Sequence, residues 1–223
     1  MTIDPKIIEF FNKRKKVFIT THVRPDGDAV GSSLALFHFL RLQGHYAMLS
    51  FPSMFPDFHK WFPGIEEALI FPHKQSRIKQ FLEGADLIIA VDFNDLKRNA
   101  ELGKYLNELN VAKMLIDHHP NPANGFAFSV WNTAYCAAGE AVFDLIEAID
   151  KNALKDQKIA SCLYAAIISD SGSFRFPAVT EKTFGIASKL LASGIDHSQI
   201  QRDVYDNFTE RRLRFWGHCV TEK

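Results

Sequence analysis

The 223-residue chain carries 26 lysines and arginines against 26 aspartates and glutamates, and 47% of its residues are hydrophobic. Those proportions are those of a globular protein with enough chain for one large core or two small ones, and they exclude a disordered segment. Zero formal net charge also excludes a domain drawn to nucleic-acid backbone by a broad basic field, so any nucleotide must be held locally.

The start, MTIDPKIIEFFNKRKK, alternates charged with apolar residues and lacks the long apolar core of a signal peptide. No later stretch is a charge-free run long enough to span a bilayer, and a cytoplasmic, membrane-free protein is expected. Cys136, Cys162 and Cys219 are odd in number, far apart and in no CxxC arrangement, which predicts buried, reduced thiols rather than disulfides or a thiolate zinc site.

In chain order, residues 16–21 (KVFITT) predict a strand, followed by a polar loop. Residues 29–44 (AVGSSLALFHFLRLQG) then predict an amphipathic helix closed by Gly44. Residues 46–51 predict a second strand, and 87–91 (LIIAV) and 113–116 (KMLI) are short apolar runs of the kind that fill a parallel sheet, with helical patterns between them. The aromatic, proline-rich segment 51–64 (FPSMFPDFHKWFPG) is read as packing of an extended connection, not as a substrate-stacking lid. After Pro122 the segments 137–149, 154–168, 180–193 and 198–205 predict helices with little strand between them. The expected architecture is therefore α/β, a parallel β-sheet flanked by helices and concentrated in the first half, followed by a helical segment. The final stretch ERRLRFWGHCVTEK has helical spacing with no capping glycine or proline behind it, which predicts a chain that stops inside or just after a helix.

Chemistry-bearing residues recur where these segments end. In THVRPDGDAVGS, His22, Asp26 and Asp28 follow the first predicted strand, and Pro25 and Gly27 permit a tight loop that would turn them to one point. Alone, this loop has two readings: a metal site, or a turn whose Asp28 caps the next helix. Asp92 follows LIIAV directly, with Asn94 and Asp95 in the loop beyond, where strand ends deliver side chains to the active edge of an α/β sheet. Asp117, His118 and His119 follow KMLI, and Asp170 follows AAII just before a glycine that would open a turn. Four segments are expected to converge on one edge. Carboxylates mixed with imidazoles and no thiolate favour six-coordinate ions, manganese or magnesium, over structural zinc, and we take manganese as the expected metal. Six or more donors exceed the needs of one ion, and a pair of divalent ions is the usual arrangement for phosphoester hydrolysis.

In this order, HVRPDGD, the aspartate of VDF, the DHH triplet and ISDSGSFRF resemble the four motifs of the DHH phosphoesterases, across residues 17–176. The resemblance implies that His22, Asp26 and Asp92 hold one ion while Asp28, Asp92, His118 and Asp170 hold the other, with Asp92 as the bridge. It places His119 toward substrate phosphate, for charge stabilisation or proton handling, and Asp117 behind a histidine that it orients. Arg175 is a weaker candidate for substrate phosphate. His38, His45, His59, His73, His197 and His218 lie outside the motifs and are read as structural.

The branch it most resembles comprises bacterial bifunctional enzymes that degrade very short RNAs and dephosphorylate 3′-phosphoadenosine 5′-phosphate. That implies small nucleotides or short oligoribonucleotides as partners, and a homodimer. A phosphodiesterase for cyclic or linear dinucleotides shares the same motifs and is the alternative within the family. A nucleotide-binding sensor without catalysis would need a glycine-rich phosphate loop, whereas the loop here is acidic and repels bare phosphate unless cations intervene. Two departures stand out: the chain has no glycine-rich GGGH-like segment, and Ala137-Ala138-Gly139-Glu140 stands where relatives carry hydroxyl residues. We therefore expect a catalytic domain over 1–195 and a linker helix region over 196–223, leading to a substrate-binding domain outside this chain.

Overall fold

The computed structural model describes residues 2–208 and 210–222. Six strands, β1 (Lys16–Thr20), β2 (Tyr46–Phe51), β3 (Leu69–Ile70), β4 (Leu87–Val91), β5 (Ala112–Asp117) and β6 (Phe128–Trp131), form one sheet in the order β3-β2-β1-β4-β5-β6. Every pairing is parallel. Parallel strands buried on both faces need apolar residues at consecutive positions, and β4 (LIIAV) is buried at all five. The alternation of its side chains shows which face each serves. Leu87, Ile89 and Val91 enter one core cluster, Ile88 and Ala90 the other.

Helices α3 (Phe71–Leu82) and α4 (Ala100–Glu108) cover the smaller core on one face. The other face carries α1 (Pro5–Phe11), α2 (Gly27–Leu42), α5 (Ala138–Asp150) and α6 (Gln157–Asp170). Beyond them lie α7 (Glu181–Leu191), α8 (His197–Gln201), a π-type turn over Arg202–Asp206 and α9 (Glu210–Thr221).

The α2 helix is not amphipathic as its spacing predicted. Thirteen of its sixteen residues are buried, because it lies between the sheet and α6 and has no broad solvent face. Its contact with α6 is close. A Cβ on Gly31 would lie 2.5 Å from the Cys162 carbonyl oxygen, so only glycine permits that approach. Sheet also extends past Pro122, since β6 adds an edge strand to β5 where little strand was expected. Cys136 and Cys162 are buried free thiols as predicted, whereas Cys219 is exposed on α9, whose described side chains are all outside the core. No helix among the described residues is long and apolar enough to cross a membrane.

The strand order fixes where a site can form. From β1 the chain winds outward through β2 and β3, then returns to pair β4 on the other side of β1 and winds away through β5 and β6. Such a switch point leaves a crevice at the carboxyl ends of β1 and β4. Asp92 follows β4 and the His22 loop follows β1.

Candidate metal centre

The loop after β1 is pinned from below by buried Asn99, whose amide donates to Thr20 Oγ1 at 2.9 Å and to the Thr21 carbonyl at 2.6 Å. Within it, His22 Nδ1 lies 2.9 Å from the Val23 carbonyl. A carbonyl only accepts, so Nδ1 carries the proton and Nε2 is the atom turned to the centre. Nε2 lies 3.5 Å from Asp92 Oδ2 and 3.9 Å from Asp26 Oδ2. Asp26 also caps α2, accepting from the Ala29 amide at 3.0 Å through its other oxygen.

Asp28, two residues further on, is fully buried. It does not cap its own helix; it reaches across to the start of α5. There it accepts from the amides of Ala138 (2.6 Å) and Gly139 (3.0 Å), and Ser32 Oγ adds a third donor at 2.7 Å. The α5 N-cap, Ala137, has no side chain to offer, so a carboxylate from α2 does that work. The Ala137–Glu140 segment that departs from the family pattern thus supplies backbone donors to a candidate ligand.

Asp92 sits at φ 62°, a left-handed conformation that aspartate tolerates better than most residues, and its amide donates to the Ile116 carbonyl at 2.9 Å. It is 2% exposed. His118 repeats the arrangement of His22: Nδ1 faces the Tyr135 carbonyl at 3.3 Å, and Nε2 lies 3.4 Å from both Asp92 Oδ1 and Asp170 Oδ2 and 3.9 Å from Asp28 Oδ2. His119 Nδ1 donates to Asp117 Oδ1 at 2.8 Å. Asp117, last in β5, is fully buried and orients that ring.

Asp170 arrives differently from the other three groups. It is the last residue of α6, not a strand end, and the chain leaves it through three successive left-handed residues, Gly172, Ser173 and Phe174. Arg175 is not brought to the cluster. It is exposed, its Nε donates to the Gly172 carbonyl at 2.6 Å, and its guanidinium lies over the Tyr205 ring.

The resulting donor sets overlap. His22, Asp26 and Asp92 form one, Asp28, His118 and Asp170 a second, and Asp92, Asp117, His118 and His119 a third, with one ligand atom from each residue lying within 4.8 Å of the rest of its set. The chemistry of these atoms fits divalent cations. With Nδ1 of His22 and His118 committed to carbonyls, each neutral ring would aim an Nε2 lone pair at carboxylate oxygens 3.4–3.5 Å away. That is repulsive unless a proton or a metal ion intervenes. Protons are the answer in the protein alone. Burial opposes charge on His118, but Asp92, Asp170 and Asp117 outweigh it and push the ring up to about 9. Burial likewise opposes charge on His22, and the Asp92 carboxylate leads the groups that raise it.

The carboxylates are strained too. Burial and then the neighbouring carboxylates of Asp92 and Asp26 push Asp170 up to about 6, and burial with Asp92 and Asp170 holds Asp28 well above the usual range despite its donors. Asp92 goes the other way: burial raises it, but His118 and His22 hold it below its ordinary value. Even so, buried Asp92 Oδ1 and Asp117 Oδ2 have no hydrogen-bond partner. A surplus of carboxylate oxygen around three imidazoles is what a cation would neutralise.

Comparison with known proteins identifies the family. A bifunctional oligoribonuclease and PAP phosphatase NrnA from Bacillus subtilis is 28% identical over 85% of this chain and 57% of its own length. Its counterpart from Thermus thermophilus is 30% identical over 82% and 52%. The chain thus spans little more than half the length of these curated relatives. The crystal structure of an exopolyphosphatase-related protein from Bacteroides fragilis superimposes with a TM-score of 0.93 at 33% identity, covering 99% of this chain and 66% of that one. The family described as the DHH family, N-terminal domain, matches residues 16–167, the stretch that carries β1 to β6 and all of the cluster except Asp170, and on that match the chain belongs to the DHH family of phosphoesterases.

Proposed function

We propose that this chain is the metal-dependent catalytic part of a phosphoesterase that hydrolyses short oligoribonucleotides and 3′-phosphoadenosine 5′-phosphate. The observation that carries the reading is the overlap of the donor sets. Asp92 faces His22 on one side and His118 on the other, so two ions can share one buried carboxylate. In this proposal His22, Asp26 and Asp92 hold one ion, and Asp28, Asp92, His118 and Asp170 hold the second. Manganese is the proposed metal, on the ligand set. Bound there, divalent ions supply Lewis-acid activation of water and of the phosphoryl group.

The chain's own residues do the rest. Asp117 fixes the proton of His119 on Nδ1, which leaves Nε2 as the ring atom able to hold or deliver a proton at the leaving oxygen when the P–O bond breaks. The carbonyl partners of His22 and His118 keep both rings from rotating, so the donor geometry exists before substrate arrives. The names of the relatives above support the substrate class, as do the matching motifs. The resemblance also supports a homodimer, with residues 1–195 as the catalytic domain and 196–223 as the linker, and the cytoplasmic placement proposed here rests on the sequence.

The test is hydrolysis by chelated, then metal-reloaded protein of 3′-phosphoadenosine 5′-phosphate, a diribonucleotide and inorganic pyrophosphate. Manganese-dependent release of phosphate or mononucleotide from the first two is expected. Turnover of pyrophosphate alone, or undiminished turnover in excess chelator, overturns the proposal.

A further inference from the structure

The aromatic segment between β2 and β3, which the sequence suggested was mere packing, walls a cavity of about 410 Å³ beside the cluster. That volume lies within the roughly 300–1,000 Å³ of small-molecule sites. Asp26 and Asp170 line the cavity and also belong to the donor sets, so the two spaces are continuous. An occupant filling the cavity has one end at the carboxylates.

Aromatic rings make up much of the rest of the wall. Phe58, Trp61 and Phe62 come from this segment, and Tyr205 comes from the π-type turn. Tyr205 is fixed there by a hydrogen bond from its hydroxyl to the Ile168 carbonyl on α6, two residues before Asp170. Trp61 stacks on buried Phe62 with ring centroids 4.2 Å apart, which holds the indole as a flat surface. Phe58 is 43% exposed although it meets the His59 ring edge-on at 4.5 Å. A buried polar element among these rings is His59. It is buried, lines the cavity, and its Nδ1 has no hydrogen-bond partner. Burial pulls the ring down to about 4, so it is a neutral imidazole, able to donate through one nitrogen and accept through the other.

This lining selects among phosphate esters. Among the described residues Arg24 is the only lysine or arginine along it, which is poor provision for a chain of further phosphates. Flat apolar surfaces with one amphoteric ring suit a planar heteroaromatic group instead.

We propose that this cavity is the nucleobase subsite of the enzyme, stacking the base of a nucleotide on Trp61 and Phe58 while its phosphate lies at the Asp26–Asp170 end. The position of the phosphate rests on the phosphoesterase reading above; the stacking surface does not.

The experiment is a fluorescence titration of the full chain, metal-free and manganese-loaded, with adenosine 5′-monophosphate and with ribose 5-phosphate as its base-free counterpart. Of the three tryptophans, only Trp61 lines the cavity. Saturable quenching by the nucleotide, its loss in Trp61→Phe, and a Kd raised roughly 5- to 150-fold in Phe58→Ala are expected. Phe58 is exposed enough for that substitution to leave folding intact, which circular dichroism checks. Quenching that survives in Trp61→Phe, ribose 5-phosphate binding as tightly as the nucleotide, or no quenching at all overturns the subsite. Turnover is scored separately. A chain that hydrolyses nucleotides without a Trp61 signal loses the subsite and keeps the phosphoesterase reading. One that binds the nucleotide at Trp61 but cleaves no phosphoester does the reverse.

Discussion

Gly31→Ala tests how the fold holds the cluster together. In most helix interiors this exchange stabilises by up to about 1 kcal/mol, because alanine costs less backbone entropy. Here the new methyl would lie 2.5 Å from the Cys162 carbonyl oxygen and 3.0 Å from both the backbone nitrogen and the Cβ of Ala166. All of these sit on α6, and backbone cannot swing aside as a flexible side chain can, so α2 and α6 must separate. Overpacking of this kind costs about 1–3 kcal/mol, and a contact this short belongs at the upper end. Set against the propensity gain, the net expectation is a loss of about 1–2 kcal/mol. For a chain of this size that is a fall in Tm of about 2–8 °C.

The functional consequence follows from what the two helices carry. Asp28 stands one turn before Gly31 on α2, and Asp170 ends α6, so separation pulls one proposed ion site apart. Manganese should therefore raise the Tm of the variant less than that of the wild type. Gly185→Ala is the matched control, since Gly185 lies at an exposed position of α7 with nothing within 4 Å of its would-be Cβ; it should gain up to about 1 kcal/mol. Urea denaturation with and without manganese measures both. If Gly31→Ala behaves like Gly185→Ala, the close helix contact does not shape the site and the reasoning fails.

Asp92→Asn should leave the fold intact, because asparagine also tolerates the left-handed φ of 62°, yet drop turnover below a few per cent, since an amide cannot supply the shared negative charge. More than that remaining at saturating manganese would refute the bridging role. After chelation, manganese should restore activity better than calcium, whose larger and more flexible shell suits the reaction poorly; equal rescue would count against a manganese site. Stability should fall as pH drops from 6.5 towards 4 through His59: its folded pKa of about 4 lies below the ordinary 6.5, so the unfolded chain takes up the proton first. The span implies about 3 kcal/mol, present above pH 6.5 and lost by pH 4. A wild type that loses no more stability across that range than His59→Gln would show that the ring is not buried neutral.

Strands whose residues pack on both faces announced themselves, as LIIAV and KMLI did, because continuous apolar runs are the local signature of a parallel sheet. The site residues were legible for a related reason: they follow strand ends, where topology alone brings side chains together. The rest depended on contacts between distant segments. Strands β3 and β6, two and four residues long, carry too little pattern to register alone and exist by pairing with β2 and β5. Periodicity made α2 look amphipathic because Arg41 and Gln43 mark its exposed end, while the packing of α6 and α5 on this helix explains why Ser32 and Ser33 are buried. Asp170 was grouped with the strand-end residues, although the helix that delivers it was itself predicted, over 154–168, and runs two residues further to end on Asp170.

Asp28 shows why a ligand-only view of the cluster is too narrow. A carboxylate that served only to bind a cation would be free to stay partly solvated, as Asp26 is. Asp28 is instead fully buried, and its oxygens take the first amides of α5 together with Ser32 Oγ. Those amides carry the partial positive charge of a helix start, which offsets some of the cost of burying an anion and ties α2 to α5. The tie has a direction. Tyr135, whose carbonyl fixes the tautomer of His118, lies three residues before α5, so the donor that orients one proposed ligand and the amides that hold another belong to the same stretch of chain. Losing the Asp28 charge would therefore loosen the approach to α5 and with it the ring of His118, while removing a ligand. The donor atoms of the second set are coupled through backbone before any ion binds, and the alanine and glycine at 138–139 are enough for that, because the coupling uses only their amides.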